Sequence, residues 1–189
     1  SEGPAIDTIG DLADWLMALL DAAGIEKAAV VGHSLGSMVA LEAAARVPER
    51  VWAIALLGTA IPMAVGEGLL AAAQANDPAA FDMITIWGHG AEAQIGRHTV
   101  PGLWMVGNAL RLLERSLPGV LHTDLKACND YQDGMAAAAK VACPTMLLLG
   151  DSDRMTPPQA ARGLAEAIAG CETVVLPRCG HMMSVEQPD

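Results

Sequence analysis

The sequence predicts an α/β fold: a mostly parallel sheet with flanking helices, interrupted by a helical insertion. Three observations predict it. Short apolar runs alternate with helix-forming stretches near both ends of the chain, and the long stretch between them offers helices only. A serine bracketed by glycines, Gly32-His33-Ser34-Leu35-Gly36, sits where an apolar run passes directly into a helix-forming one.

Ile6, Ile9, Leu12, Trp15, Leu16, Leu19 and Leu20 recur at steps of three and four, which predicts an amphipathic helix with one buried face, ended by Gly24. Ala28 to Val31 is a short strand, and Ser37 to Val47 is a helix that Pro48 stops. Val51 to Leu57 is too short for an ordinary helix and reads as a second strand, completing a parallel β-α-β crossover. Beyond Gly58 the alternation breaks, with helical stretches at Leu69 to Gln74, Ala79 to Trp87, Leu103 to Leu117 and Leu121 to Tyr131. The rhythm returns after Pro144, with a strand at Thr145 to Leu149, a helix at Pro158 to Ala169 and a strand at Thr173 to Leu176. Residues 1–58 and 141–189 therefore read as an α/β core, and 59–140 as an insertion.

A chain of 189 residues with 52% apolar content fits one domain with a sizeable core. Its 11 basic and 22 acidic residues give a net charge of −11 with no basic cluster, which argues against nucleic acid and anionic membrane surfaces as partners. A small uncharged or apolar molecule is the easier partner to accept. Cys128, Cys143, Cys171 and Cys179 show neither C-x-x-C pairing nor the spacing of a disulfide framework, so they read as reduced thiols and suggest a cytoplasmic setting. No apolar run reaches the ~18 residues of a membrane span.

The G-x-S-x-G string alone is weak evidence, because this composition yields about 0.06 accidental matches. Its setting between strand and helix gives it chemical meaning. A serine hydroxyl is a poor nucleophile, so it must be lifted toward a base, with N–H donors placed where an oxyanion forms. A sharp strand-to-helix turn does both: Gly32 and Gly36 leave room for the bend, and the N–H of Leu35 points into a helix N-terminus that favours negative charge.

A base and an acid follow later in the chain. Gly150-Asp151-Ser152-Asp153 comes directly after a strand, at the sheet edge where α/β sites are built. Asp153 lies deeper in that loop and can reach a histidine, whereas Asp151 braces the turn. His33 is too close to the serine in sequence to turn back on it, and His89, His98 and His122 lie in the insertion. His181, in a glycine-led loop after the last strand, completes the order Ser, Asp, His. Asp153 would then orient the imidazole while His181 takes the proton from Ser34 and returns it to the leaving group.

The stretches V-V-G-H-S-L-G (30–36), L-L-L-G-D-S-D-R-M-T-P (147–157) and C-G-H-M-M-S-V-E-Q-P (179–188) resemble the α/β-hydrolase superfamily, in particular its cap-bearing esterases, lactonases and carbon-carbon hydrolases. The resemblance covers nearly the whole chain and is looser through 59–140, which matches the family's variable cap in position only. It implies Ser34 as nucleophile, Asp153 as acid, His181 as base and no metal or organic cofactor. Ser34 also argues against epoxide hydrolase and haloalkane dehalogenase activity, which use an aspartate at the elbow. The family further implies upstream strands, a His-Gly-type loop supplying the second oxyanion donor, and a last helix. The chain is accordingly expected to be a fragment of feeble activity by itself, with the strand at Ala28 to Val31 left as an unpaired apolar edge.

The large apolar residues of the insertion offer a pocket for an acyl group or ring, with Met63, Trp87 and Trp104, together with His33, as candidate substrate contacts. The expected activity is hydrolysis of a small apolar carboxylic ester through an acyl-enzyme. A carbon-carbon hydrolase, a lactonase or a perhydrolase would use the same three residues, and a noncatalytic ligand-binding member or inactive fragment stands as the alternative of another class.

Overall fold

The structure is a computed structural model that describes residues 5–96 and 102–189. Four parallel strands, β1 (Ala28–His33), β2 (Val51–Leu57), β3 (Thr145–Gly150) and β4 (Glu172–Leu176), lie side by side in chain order. Helix α1 (Ile9–Ala22) precedes β1, and α2 (Leu35–Arg46) connects β1 to β2. Between β2 and β3 the described residues form helices only: α3 (Glu67–Gln74), α4 (Ala79–Gly88), α5 (Ala91–Gln94), α6 (Met105–Leu113), α7 (Val120–Asp130) and α8 (Gly134–Ala138). A 3₁₀ turn over Pro158–Ala161 leads into α9 (Arg162–Ala167), and α10 (Met183–Glu186) follows β4.

The parallel crossover from β1 through α2 to β2 is as the apolar runs predict, and β1 forms one edge of the described sheet. Val30 of β1, Ile54 and Leu56 of β2, and Leu147 and Leu149 of β3 share one face. That face is sealed by Met17 and Leu20 of α1, Leu41 and Ala44 of α2, and Leu164 of α9. On the opposite face Val31 is 68% exposed and Met146 and Val174 are also open.

Two details of the elements differ from the periodicity. Helix α1 does end at Gly24, which adopts φ +68° while the Ile25 N–H reaches back to the Leu20 carbonyl at 2.9 Å. Its buried face, however, is Ile9, Ala13, Met17 and Leu20, and Trp15 and Leu19 are turned outward. Small Ala13 lets the helix sit close on α2, which the bulkier residues would prevent. Helix α8 lies inside the stretch assigned to the insertion, yet packs on α2 and α9 and gives Ala137 and Ala138 to the sheet's core.

The insertion rests on the core through Met63, Ala127, Cys128 and Tyr131, which meet Ile9 and Met38. Leu69, Ala73, Ala80 and Ile84 form a small core between α3 and α4. Among the described residues no helix is long and apolar enough to cross a membrane. The four cysteines are unpaired, and His98 lies outside the described residues.

Candidate active site

Ser34 stands between β1 and α2 with φ 55° and ψ −122°, a conformation that non-glycine residues seldom adopt. The bend is held on both sides. The Ser34 N–H donates to the Leu57 carbonyl at 2.9 Å, and the Ser34 carbonyl accepts from the Ser37 N–H and, at 2.6 Å, from the Ser37 hydroxyl. Ser37 is fully buried against Thr59, whose hydroxyl lies 2.8 Å away and donates to the Ser37 oxygen.

The two glycines of the motif are not equivalent. A Cβ on Gly32 would lie 2.0 Å from the Gly36 carbonyl oxygen, so nothing larger than glycine lets α2 start so close to β1. Gly36 has open space outside its own helix, so its expected steric role is not seen. Leu35 opens α2, and its N–H has no partner among the described residues, leaving it free to face an anion at the helix start.

The loops after β3 and β4 bring Asp153 and His181 together. The His181 Nδ1–H donates to Asp153 Oδ2 at 2.8 Å, in a setting where His181 is 1% and Asp153 4% exposed. Asp153 Oδ1 accepts the N–H groups of Met155 and Thr156, both at 2.8 Å, and Oδ2 also accepts the Thr156 hydroxyl at 2.7 Å. Burial pushes the Asp153 carboxyl up, but the bond and charge of His181 and the two donors of Thr156 outweigh it, and the carboxyl stays below its ordinary value. Asp153 is thus an anion that fixes one nitrogen of His181. The other, Nε2, is buried without a hydrogen-bond partner, and Ser34 and His181 line the same cavity. No hydrogen bond joins the Ser34 hydroxyl to Nε2. Asp151 lies outside the group, taking the Ser152 hydroxyl at 2.7 Å and bracing the turn.

Three contacts that spacing does not reveal position the imidazole. Gly58, at φ +53°, leaves room for it, since a Cβ there would come within 2.9 Å of His181 Nδ1. The N–H groups of His181 and Met182 both donate to the Gly88 carbonyl at the end of α4, at 2.8 and 3.0 Å. The buried Glu186 takes the N–H of Gly180 at 2.9 Å and that of Gly90 at 3.1 Å on one oxygen. His181 is therefore tied to the insertion through backbone bonds to Gly88.

His33, expected at the substrate, instead lies behind His181. Its Nε2–H donates to the His181 carbonyl at 2.7 Å, the two rings are 4.7 Å apart, and it is not among the residues lining the cavity. Burial holds the His33 imidazole below its ordinary 6.5, aided by the charge of His181 and only partly opposed by its bond to the His181 carbonyl. The unfolded chain therefore binds this proton more readily, and the stability His33 contributes is lost as pH falls below about 6.5. Tm is expected to drop between about pH 7 and pH 5.5, and His33→Gln should shrink that drop. A pH dependence unchanged by His33→Gln would contradict the assignment.

The cavity measures about 190 Å³, somewhat more than the ~150 Å³ that accommodates benzene in an engineered apolar cavity. Met63, Val65, Leu69, Trp87, Leu125 and Cys128 of the insertion wall it, opposite Ser34 and His181. Burial, reinforced by Asp124, pushes the Cys128 thiol up to about 12, so it serves as an apolar wall rather than a nucleophile. Trp104 does not reach the cavity. It caps the start of α6 at 65% exposure, with its ring over Gly107, where a Cβ would come within 2.1 Å of it. Among the described residues no group of three or more His, Cys, Asp or Glu could hold a metal ion.

The alpha/beta hydrolase family model matches residues 1–189. The chain belongs to that family. A Klebsiella pneumoniae (strain 342) protein named as a carbamate hydrolase, RutD, is 30% identical over 201 residues, covering 98% of this chain and 71% of its own. A solved thermophilic esterase aligns with TM-score 0.79 at 27% identity, over 98% of this chain and 70% of that one. The enol-lactonase of Burkholderia xenovorans LB400 superposes with TM-score 0.87 at 23% identity, over 100% and 72%, a likeness of fold. The chain thus spans about 70% of the length of these relatives and carries an α/β-hydrolase sheet with its flanking helices.

Proposed function

We propose that this hydrolase cleaves a small, largely apolar carboxylic ester through an acyl-enzyme on Ser34, with His181 as base, Asp153 as its anchor and the helical insertion as a cap over the pocket. The observation that carries the reading is the buried Asp153–His181 bond, which leaves Nε2 without a partner at a cavity shared with Ser34. With Nδ1–H committed to an anion, Nε2 holds the lone pair and is the nitrogen able to accept a proton.

In the proposed reaction Ser34 Oγ attacks the acyl carbon while its proton passes to His181 Nε2. The carbonyl electron pair moves onto oxygen, where the Leu35 N–H meets it. Collapse breaks the bond to the alcohol oxygen, which takes the proton from His181 and leaves. Water, deprotonated by the same nitrogen, then attacks the acyl-serine, and the acid departs with Ser34 restored.

Carbamates and esters both present an acyl carbonyl to a nucleophile, so the names of the Klebsiella protein and the thermophilic esterase support this class of reaction. Ser34→Ala is the direct test: hydrolysis of p-nitrophenyl acetate is expected to fall by about 10⁴-fold or more, with the initial burst of p-nitrophenol lost. Turnover that survives the substitution would remove the serine from the mechanism.

A further inference from the structure

Arg154 is the one charged side chain among the residues that line the Ser34 cavity, and it takes no part in the chemistry described above. It follows Asp153 directly, so the bonds that fix the Asp153 carboxylate also fix the backbone from which Arg154 extends. Its side chain is exposed and makes no ion pair or hydrogen bond among the described residues, which is true also of Arg115 and Arg162, but of the three only Arg154 lines the cavity. In a chain with twice as many acidic as basic residues, the cavity wall contains no aspartate or glutamate. An unpaired guanidinium at the rim of an otherwise apolar pocket presents a planar fork of donors matched to a carboxylate.

We propose that Arg154 selects esters whose acyl chain ends in a carboxylate, the half-esters of small dicarboxylic acids. This rests on the serine-hydrolase reading and refines it, since the pocket walls remain apolar while the far end of the substrate is anionic. Met63, Leu69 and Trp87 cover the methylene chain, Ser34 meets the ester carbonyl, and Arg154 holds the terminal carboxylate. The guanidinium is exposed, so the attraction is screened by salt and modest in size.

The test compares p-nitrophenyl hydrogen glutarate with p-nitrophenyl pentanoate, which share a chain length but end in a carboxylate and a methyl group. At low ionic strength kcat/KM is expected to favour the glutarate by about tenfold, and the preference should shrink in ~0.5 M salt. Arg154→Met should abolish the preference with the pentanoate rate held within about twofold, and Arg154→Lys should restore part of it. Equal rates for the two esters, or an equal loss of both in Arg154→Met, would overturn the proposal. Binding of monomethyl glutarate and methyl pentanoate to Ser34→Ala, followed by tryptophan fluorescence, separates this outcome from a failure of the mechanism. Tighter binding of the glutarate that depends on Arg154 supports anion selection even if turnover is absent, and equal binding refutes it.

Discussion

Asp153→Asn is expected to lower kcat for p-nitrophenyl acetate by about 10⁴-fold while leaving Tm within a few degrees. The two sides of the carboxyl explain why. Oδ1 accepts two backbone N–H groups and would remain the carbonyl oxygen of the new amide, so the loop keeps its shape. The amide nitrogen then replaces Oδ2, which accepts from His181 Nδ1 and from the Thr156 hydroxyl. It cannot accept a proton from Nδ1, so the imidazole is driven to the tautomer with its proton on Nε2. Such an imidazole cannot take the serine's proton, although every atom stays near its place. His181→Ala should cost a similar factor, and the double variant little more than either single one, because the two residues act as a unit. Additive losses would mean that Asp153 acts by some route other than His181.

Gly32→Ala is expected to destabilise the protein by about 3 kcal/mol or more and to abolish activity, whereas Gly36→Ala should leave both nearly unchanged. The new methyl at position 32 meets the carbonyl of Gly36 and the N–H of Ser37, backbone atoms held by the start of α2 and unable to step aside as a side chain would. Relief requires moving α2 away from β1, which opens the contact of Leu41 and Ala44 with the sheet and unbends the turn under Ser34. At Gly36 the methyl enters open space, and alanine's better helix propensity, worth up to ~1 kcal/mol, works in its favour. Urea unfolding of the two variants checks the contrast, and equal destabilisation would contradict it.

The strands and the strand-to-helix turn could be read from the sequence because their causes are local. Four residues of apolar character before Gly32, and helix formers after Gly36, suffice to place Ser34, and the order of acid and histidine picks out Asp153 and His181 from five histidines and two aspartates of one loop. The face of α1 was not legible, since Trp15 and Leu19 are more apolar than Ala13, yet closeness of packing rather than hydrophobicity decides which side is buried. Helices α5, α8 and α10 are four or five residues long and too short to show a period. The supports of His181 are long-range: Gly58 is 123 positions away and Gly88 is 93, by subtraction of their numbers, and nothing in the intervening residues signals that they meet. Trp104 and His33 show the converse, residues of the right chemistry turned elsewhere by an adjacent glycine and an adjacent carbonyl.

Covalent labelling with a fluorophosphonate probe, followed by mass mapping of the adduct, asks whether Ser34 is the nucleophile that the Asp153–His181 pair activates. One adduct is expected, on Ser34, absent in Ser34→Ala and slowed by about 10³-fold or more in Asp153→Asn and His181→Ala. Labelling that persists in Ser34→Ala, or that proceeds at an undiminished rate without His181, would contradict it.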